Sequence, residues 1–170
     1  LLKISWKKSM KWGNHDLYWG RPLKSILALF DKRIIEFELN HLQSSNKTFV
    51  DKDLEEDVKI FNDFKSYIKF FKKKGITIDQ NKRKEFIIKE INKLTIQKKI
   101  KVNLNQKLID EITNIVEKPK ILLCEFNNKF LKIPQEILII TMQTYQKYFP
   151  TFDSKNTVSY THLRAHETDY

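Results

Sequence analysis

Lys120 to Pro150 reads KILLCEFNNKFLKIPQEILIITMQTYQKYFP, and its two rhythms decide the fold. Ile121 to Cys124 and the run ending at Ile133 are β-prone, and they flank Asn127-Asn128, residues that tolerate the positive φ of a tight hairpin turn. Pro134 then suits the first turn of a helix over residues 135–148. Leu138, Thr141, Met142, Tyr145 and Phe149 recur at helical spacing, which predicts a core stripe. Proline disfavours helical geometry in the residue before it and donates no backbone hydrogen bond, so Tyr148-Phe149-Pro150 is the natural exit. Sheet followed by amphipathic helix calls for a mixed architecture.

Working toward the N-terminus, Leu108, Ile109, Ile112, Ile115 and Val116 predict a helix over 105–117 that stops before Pro119. Asp79 caps another, over 80–97, that carries Phe86, Ile87, Ile91 and Leu94. Between 54 and 74, Leu54, Val58, Phe61, Phe64, Ile68 and Phe71 repeat at three or four residues. Asp53 and Glu56 there have capping-box spacing, Lys72 to Lys74 suit the negative end of the helix dipole, and Gly75 supplies a left-handed terminator. Ile76 to Ile78 reads as a strand or extended link. In RPLKSILALFDKRIIEFELNHLQ, from Arg21 onward, two apolar runs flank Asp31-Lys32-Arg33 and predict a hairpin over 23–39. The expected fold is α/β, a mixed sheet of two hairpin-like strand pairs covered by about four helices.

The 170 residues carry 32 Lys plus Arg against 21 Asp plus Glu, a formal charge of +11. Such an excess attracts polyanions. Only Arg21, Arg33, Arg83 and Arg164 are arginines, so the charge consists of ammonium points and not of rigid forks, which disfavours dense base-specific readout. Lysine triplets and near-triplets at Lys72, Lys73, Lys74 and at Lys82, Arg83, Lys84 are the phosphate-contact candidates, with Lys98 to Lys101 behind them. Charge runs are most often solvated surface.

Cys124 is the single cysteine, which excludes an intramolecular disulfide and a thiol-based zinc cluster and suits a reducing compartment. No apolar run approaches the roughly 20 residues that span a bilayer, and LLKISWKKSMKWG is too polar for a signal-peptide core. With no initiator Met, the chain reads as a piece of something longer. The last 14 residues, TVSYTHLRAHETDY, hold no lysine but two of the four histidines. They resemble translated adapter or vector sequence, so residues 154–170 are expected to be a non-native or disordered tail. His162 and His166 at i, i+4 make only a weak metal signal.

The three glycines, Gly13, Gly20 and Gly75, form no phosphate-cradling run, and there is no nucleophile elbow and no His-Glu-x-x-His. Asp31 with Glu36, and Glu55-Glu56-Asp57, are paired acids where turns and helix starts want acids. His15 and His41 lie near strand ends, and without an acid or nucleophile at recognisable spacing they read as structural histidines. No catalytic residue and no metal ligand is expected from the sequence.

Three ordered blocks carry a resemblance: KSMKWG at Lys8 to Gly13, RPLKSILALFD at Arg21 to Asp31, and LIDEITNIVEKPKILLCEFNNKFLKIPQEILIITMQTYQKYFP at Leu108 to Pro150. Their order and wording are similar to the beta subunit of bacterial-type glycyl-tRNA synthetase, whose most recognisable phrase is Gln-Lys-Tyr-Phe-Pro. Where that family usually has a Gly-His-Arg-Phe run, this chain reads SSNKTFVDKDL.

The resemblance implies that residues 1–153 are part of the N-terminal tRNA-synthetase beta-subunit region. It implies a contribution to tRNA binding and subunit assembly in the ATP-dependent attachment of glycine to tRNA(Gly), in an alpha2beta2 tetramer in the cytoplasm, with no membrane role. ATP, with magnesium, is used there through the alpha subunit, so this chain binds no cofactor and is expected to be inactive alone. Trp12, Gly13, Arg21, Pro22, Gln146 and Lys147 are the family-motif residues that become candidates for RNA contact. The alternative is a stand-alone basic RNA-binding or scaffold domain without catalytic activity.

Overall fold

Three acid or amide side chains start the helices. Asp63 accepts from Ser66 N at 2.7 Å, Asp79 from Lys82 N at 3.0 Å, and Asn105 from Lys107 N and Leu108 N. Each satisfies backbone donors that the first turn leaves without intrahelical partners. The helices that follow are α1 (Phe64–Lys73), α2 (Gln80–Lys98) and α3 (Gln106–Ile115). These features come from a computed structural model that describes residues 4–49, 58–153 and 155–166. The chain divides into two compact units, Leu1–Phe70 and Phe71–Tyr170.

Helix ends are equally local. After α1, Gly75 stands at φ 79°, with Gly75 N donating to Lys72 O and Ile76 N to Phe71 O, the paired bonds of a Schellman motif. After α2 the same two bonds form around Lys99 at φ 53°, so a lysine does there what glycine usually does. The predicted 54–74 helix is shorter than expected. Its capping pair Asp53 and Glu56, and Leu54, lie outside the described residues, and Val58–Ile60 is a strand.

The first unit is built from short strands: β1 (Met10–Lys11), β2 (Tyr18–Trp19), β3 (Ile26–Leu27), β4 (Leu29–Phe30), β5 (Arg33–Ile34), β6 (Glu38–Leu39), β7 (Leu42–Ser45), β8 (Lys47–Phe49) and β9 (Val58–Ile60). The predicted hairpin is present as β4–β5, with Asp31 at φ 46° and Lys32 at φ 65° between them. Positive φ at both central residues is the type I′ requirement that matches strand twist. A second turn at Asn40, φ 56°, folds β6 onto β7, and β3 runs parallel to β7. Among the described residues of this unit Leu17, Leu39 and Phe61 are the buried apolar ones, and Phe61 meets Tyr67 and Phe70 of α1 edge-on at 5.1 and 5.5 Å.

The second unit holds α2, α3, α4 (Gln135–Ile140) and an antiparallel sheet of β10 (Lys101–Val102), β11 (Lys120–Glu125), β12 (Phe149–Phe152) and β13 (Val158–His166), in the order β10-β12-β13-β11. Ile87 and Ile91 of α2, Leu108, Ile109 and Ile112 of α3, and Val116 close on Phe149 and Leu163 from the sheet. Burying one such side chain stabilises by roughly 1.5–3 kcal/mol, against about 0–1 kcal/mol for a surface ion pair. This apolar cluster therefore holds the unit together.

The α/β class and the four α-helices agree with the sequence, and four details correct it. The strand pairs at 23–39 and 120–133 belong to different sheets, because β11 finds its partner in β13 and not in the earlier hairpin. Asn127, at φ −65°, accepts from Lys129 N and so caps a 3₁₀ turn over Asn128–Lys132 in place of the expected second strand. The last helix changes at Ile140 into a π turn, Thr141–Tyr145, and stops three residues early. In the predicted stripe Met142 is buried, Tyr145 is exposed, and Phe149 is buried within a strand.

The fourth correction concerns the tail. Val158–His166 is an inner strand, paired with β11 on one side and β12 on the other, with Leu163 opposite Leu123 and Phe149. Val158 and Leu163 are buried, and Thr161 shares a buried hydrogen bond with Thr151 at 2.6 Å. The segment's polar composition concealed this, because buried Thr161 is satisfied by Thr151 across the ladder.

Candidate nucleic-acid interface

The hairpin β1–β2 carries Trp12 and Gly13 in its connection, and Gly13 takes φ 60° there. Lys11 Nζ lies 2.6 Å from Asp16 Oδ1 across it and 5.5 Å over the Tyr18 ring. Hydrogen bonding and charge from the partner raise the Lys11 pKa and lower that of Asp16. Trp6 packs on Trp19, ring centroids 4.9 Å apart, and a Cβ at Gly20 would come within 3.0 Å of the Trp6 ring. Glycine there lets the indole lie against the backbone.

Trp12, Gly13, His15, Leu17, Trp19, Leu23 and His41 line a cavity of about 220 Å³. His15 and His41 stack almost in parallel across 26 residues of sequence, with centroids 3.4 Å apart and planes 10° apart. Burial, and next the charge of His15, push the His41 pKa below its ordinary value. Trp12 Nε1 is buried without a hydrogen-bond partner. Arg21 and Pro22 are exposed between the lining residues Trp19 and Leu23. Four sequence candidates, Trp12, Gly13, Arg21 and Pro22, thus fall at one place. The same unit has a larger, more open hollow of about 820 Å³, lined by Leu27, Leu29, Phe61 and Phe64 together with Asp31 and Lys32. None of the sequence candidates reaches it.

The basic clusters separate into two kinds. Lys72 and Lys73 are exposed in the last turn of α1, Lys74 is exposed after it, and Lys82 is exposed on α2. Arg83 and Lys84 are committed to the fold. Arg83 donates from Nε to Thr113 O at 2.7 Å and from Nη1 to Thr77 O at 2.5 Å, tying the start of α2 to the end of α3. Lys84 pairs with Asp110 at 2.6 Å, and that hydrogen bond lowers the Asp110 pKa. Lys98, Lys99 and Lys101 are exposed.

Gln146 and Lys147 sit at the turn between the π segment and β12. Gln146 is exposed, with its N–H bonded to Thr141 O, while Tyr148 N donates to Met142 O. Lys147 is held at φ 58°, and its ammonium meets Glu111 at 2.7 Å. Its outward reach is therefore spent on α3. The sequence held no sign of the Lys147–Glu111 and His15–His41 pairs beyond each residue's place beside a turn or on a helix face.

The described residues group no three His, Cys, Asp or Glu side chains that could hold a metal ion, and no described helix is long and apolar enough to cross a membrane. His162 Nδ1 is buried without a partner, its ring stacked on Tyr148 at 4.4 Å. Burial, and then the Arg164 charge, lower its pKa.

Comparison with known proteins agrees with the motifs. The family model described as glycyl-tRNA synthetase beta subunit matches residues 1–168. The glycine–tRNA ligase beta subunit of Dictyoglomus turgidum is 34% identical over 158 residues, covering 93% of this chain and 23% of that protein. Its counterpart in Dictyoglomus thermophilum is 35% identical over 159 residues, and that in Rickettsia akari 34% over 151, covering 94% and 89% of this chain. The chain spans about a quarter of the length of these relatives. With nearly its whole length matched, the chain belongs to the glycyl-tRNA synthetase beta subunit family.

Proposed function

We propose that this chain is a tRNA-handling and assembly segment of the beta subunit of a glycine–tRNA ligase, from its N-terminal region. The match of residues 1–168 to the beta-subunit family is the observation that carries the reading. In it, the chain works in the cytoplasm beside an alpha subunit, in an alpha2beta2 tetramer that joins glycine to tRNA(Gly). ATP and magnesium act on the alpha chain. Exposed Lys72, Lys73, Lys82, Lys98, Lys99 and Lys101 supply point charges for phosphates, which gives weak, salt-sensitive binding with little preference among tRNAs.

Chemistry on this chain alone is not expected. No glycine run cradles phosphates, and no arginine stands in a Phe-Arg-x-Glu setting. The test is glycine-dependent exchange of pyrophosphate into ATP, with the chain alone, with an alpha subunit, and with alpha plus an intact beta subunit. Exchange only when an alpha subunit is present supports the reading. Exchange by this chain alone, lost on changes within residues 8–150, refutes it.

A further inference from the structure

We infer that the Trp12 cavity is a binding site for one unstacked nucleobase of an RNA strand. The inference rests on the RNA-handling reading above and names the group that would be recognised. Trp12, Trp19, His15 and His41 surround a space of about 220 Å³, a compartment suited to a single planar ring system and not to a folded RNA element. Aromatic walls bind bases through their π faces, and every base has one. The parallel His15–His41 pair shows that this wall already holds flat rings in contact. Leu17 and Leu23 add apolar surface to the lining.

Trp12 adds directionality. Its Nε1 is buried and has no hydrogen-bond partner, although an indole N–H that leaves water nearly always finds an acceptor. A base edge presents carbonyl oxygens and ring nitrogens that accept such a bond. Imidazole nitrogens of His15 and His41 supply further donors or acceptors at the same wall. A nucleobase reaches the cavity either within a strand or as a free nucleotide. Exposed Arg21 between Trp19 and Leu23, with exposed Lys7 and Lys8 before Trp12, offers charge to several successive phosphates, which favours the strand.

The test is a fluorescence titration of the full chain, whose only indoles are Trp6, Trp12 and Trp19. The probes are octa-adenylate RNA, an abasic ribose-phosphate of equal length, and AMP. Octa-adenylate is expected to quench the emission and to bind about tenfold more tightly than the abasic strand, the effect of one stacked base. Trp12→Phe keeps the ring and loses the donor, and is expected to weaken octa-adenylate severalfold with unchanged abasic binding. His41→Ala provides a second variant, with circular dichroism to verify folding of both. Equal affinity for octa-adenylate and the abasic strand overturns the base site and leaves phosphate-mediated RNA binding standing. AMP binding as tight as octa-adenylate overturns the strand as its source. Absence of binding to any probe overturns the site together with the RNA-handling reading.

Discussion

Lys147 occupies the left-handed backbone region at φ 58° while its ammonium rests 2.7 Å from Glu111 Oε1 on α3. The two facts oppose each other energetically. A non-glycine residue there costs roughly 1–2 kcal/mol, and a half-exposed ion pair returns about 0–1 kcal/mol. The turn persists because β12, with buried Phe149 and Pro150, begins two residues later. Lys147→Gly removes the strain and the pair together, so its melting temperature is expected within about 3 °C of the parent. Lys147→Val keeps a side chain, adds β-branching and loses the pair, and is expected to melt several degrees lower. A valine variant as stable as the parent, followed by circular dichroism, would show that the left-handed turn is absent.

The inner position of β13 makes a second expectation, opposite to the one its composition suggested. Leu163 is fully buried between Leu123 and Phe149, in the cluster formed with α2 and α3. Leu163→Ala is expected to cost on the order of 3 kcal/mol through lost burial and the cavity left behind. Ending the chain after Asp153 exposes the edges of β11 and β12 and is expected to abolish cooperative melting of the second unit. A truncated chain that melts like the parent would return the segment to the status of an unpacked tail.

What was readable from the sequence was local. Asp79 and its helix, the Asp31-Lys32 hairpin turn and Gly75 as terminator all depend on partners within about five residues. The misreadings were choices made by distant partners. Asn127 could turn a hairpin or cap a helix, and it caps because β11 pairs with β13, some forty residues along. Arg83 reads as one more basic residue until Thr77 and Thr113 appear at its guanidinium. Trp12, Gly13, Arg21 and Pro22 could be singled out as motif residues, but nothing in their spacing brought His41 to them.

Acid is expected to weaken the fold in two steps. His41 and His162 have pKa values below the ordinary 6.5, so below that value the unfolded chain binds protons that the native state resists. Stability is therefore present above about pH 6.5 and falls as pH drops below it. Asp16, Asp63 and Asp110 are lowered by hydrogen bonds from Lys11, Ser66 and Lys84. Their contribution is present above the ordinary carboxylate range and is lost as pH falls through it, near pH 4 and below. Melting temperatures measured from pH 8 to pH 3 check this. His41→Gln combined with His162→Gln is expected to flatten the upper step and leave the lower one, and an unchanged upper step in that variant would contradict the assignment.

Neighbouring Lys82 and Arg83 offer the sharpest separation of binding from folding. Lys82 is exposed on α2, whereas Arg83 spends its guanidinium on the carbonyls of Thr77, Ile78 and Thr113. An ammonium is a single point and cannot span those acceptors as the planar fork does. Arg83→Lys is thus expected to destabilise by about 1–3 kcal/mol, the range for hydrogen bonds to a charged group, without altering the salt dependence of RNA binding. Lys82→Ala is expected to leave melting unchanged and, if Lys82 meets a phosphate, to reduce the slope of log affinity against log salt by about one. Filter binding to tRNA across a salt series, alongside thermal melts, measures both. A slope altered by Arg83→Lys but not by Lys82→Ala would mean that Arg83 gives up its carbonyl partners on meeting RNA, and that the phosphate contacts belong to the residue the fold holds in place.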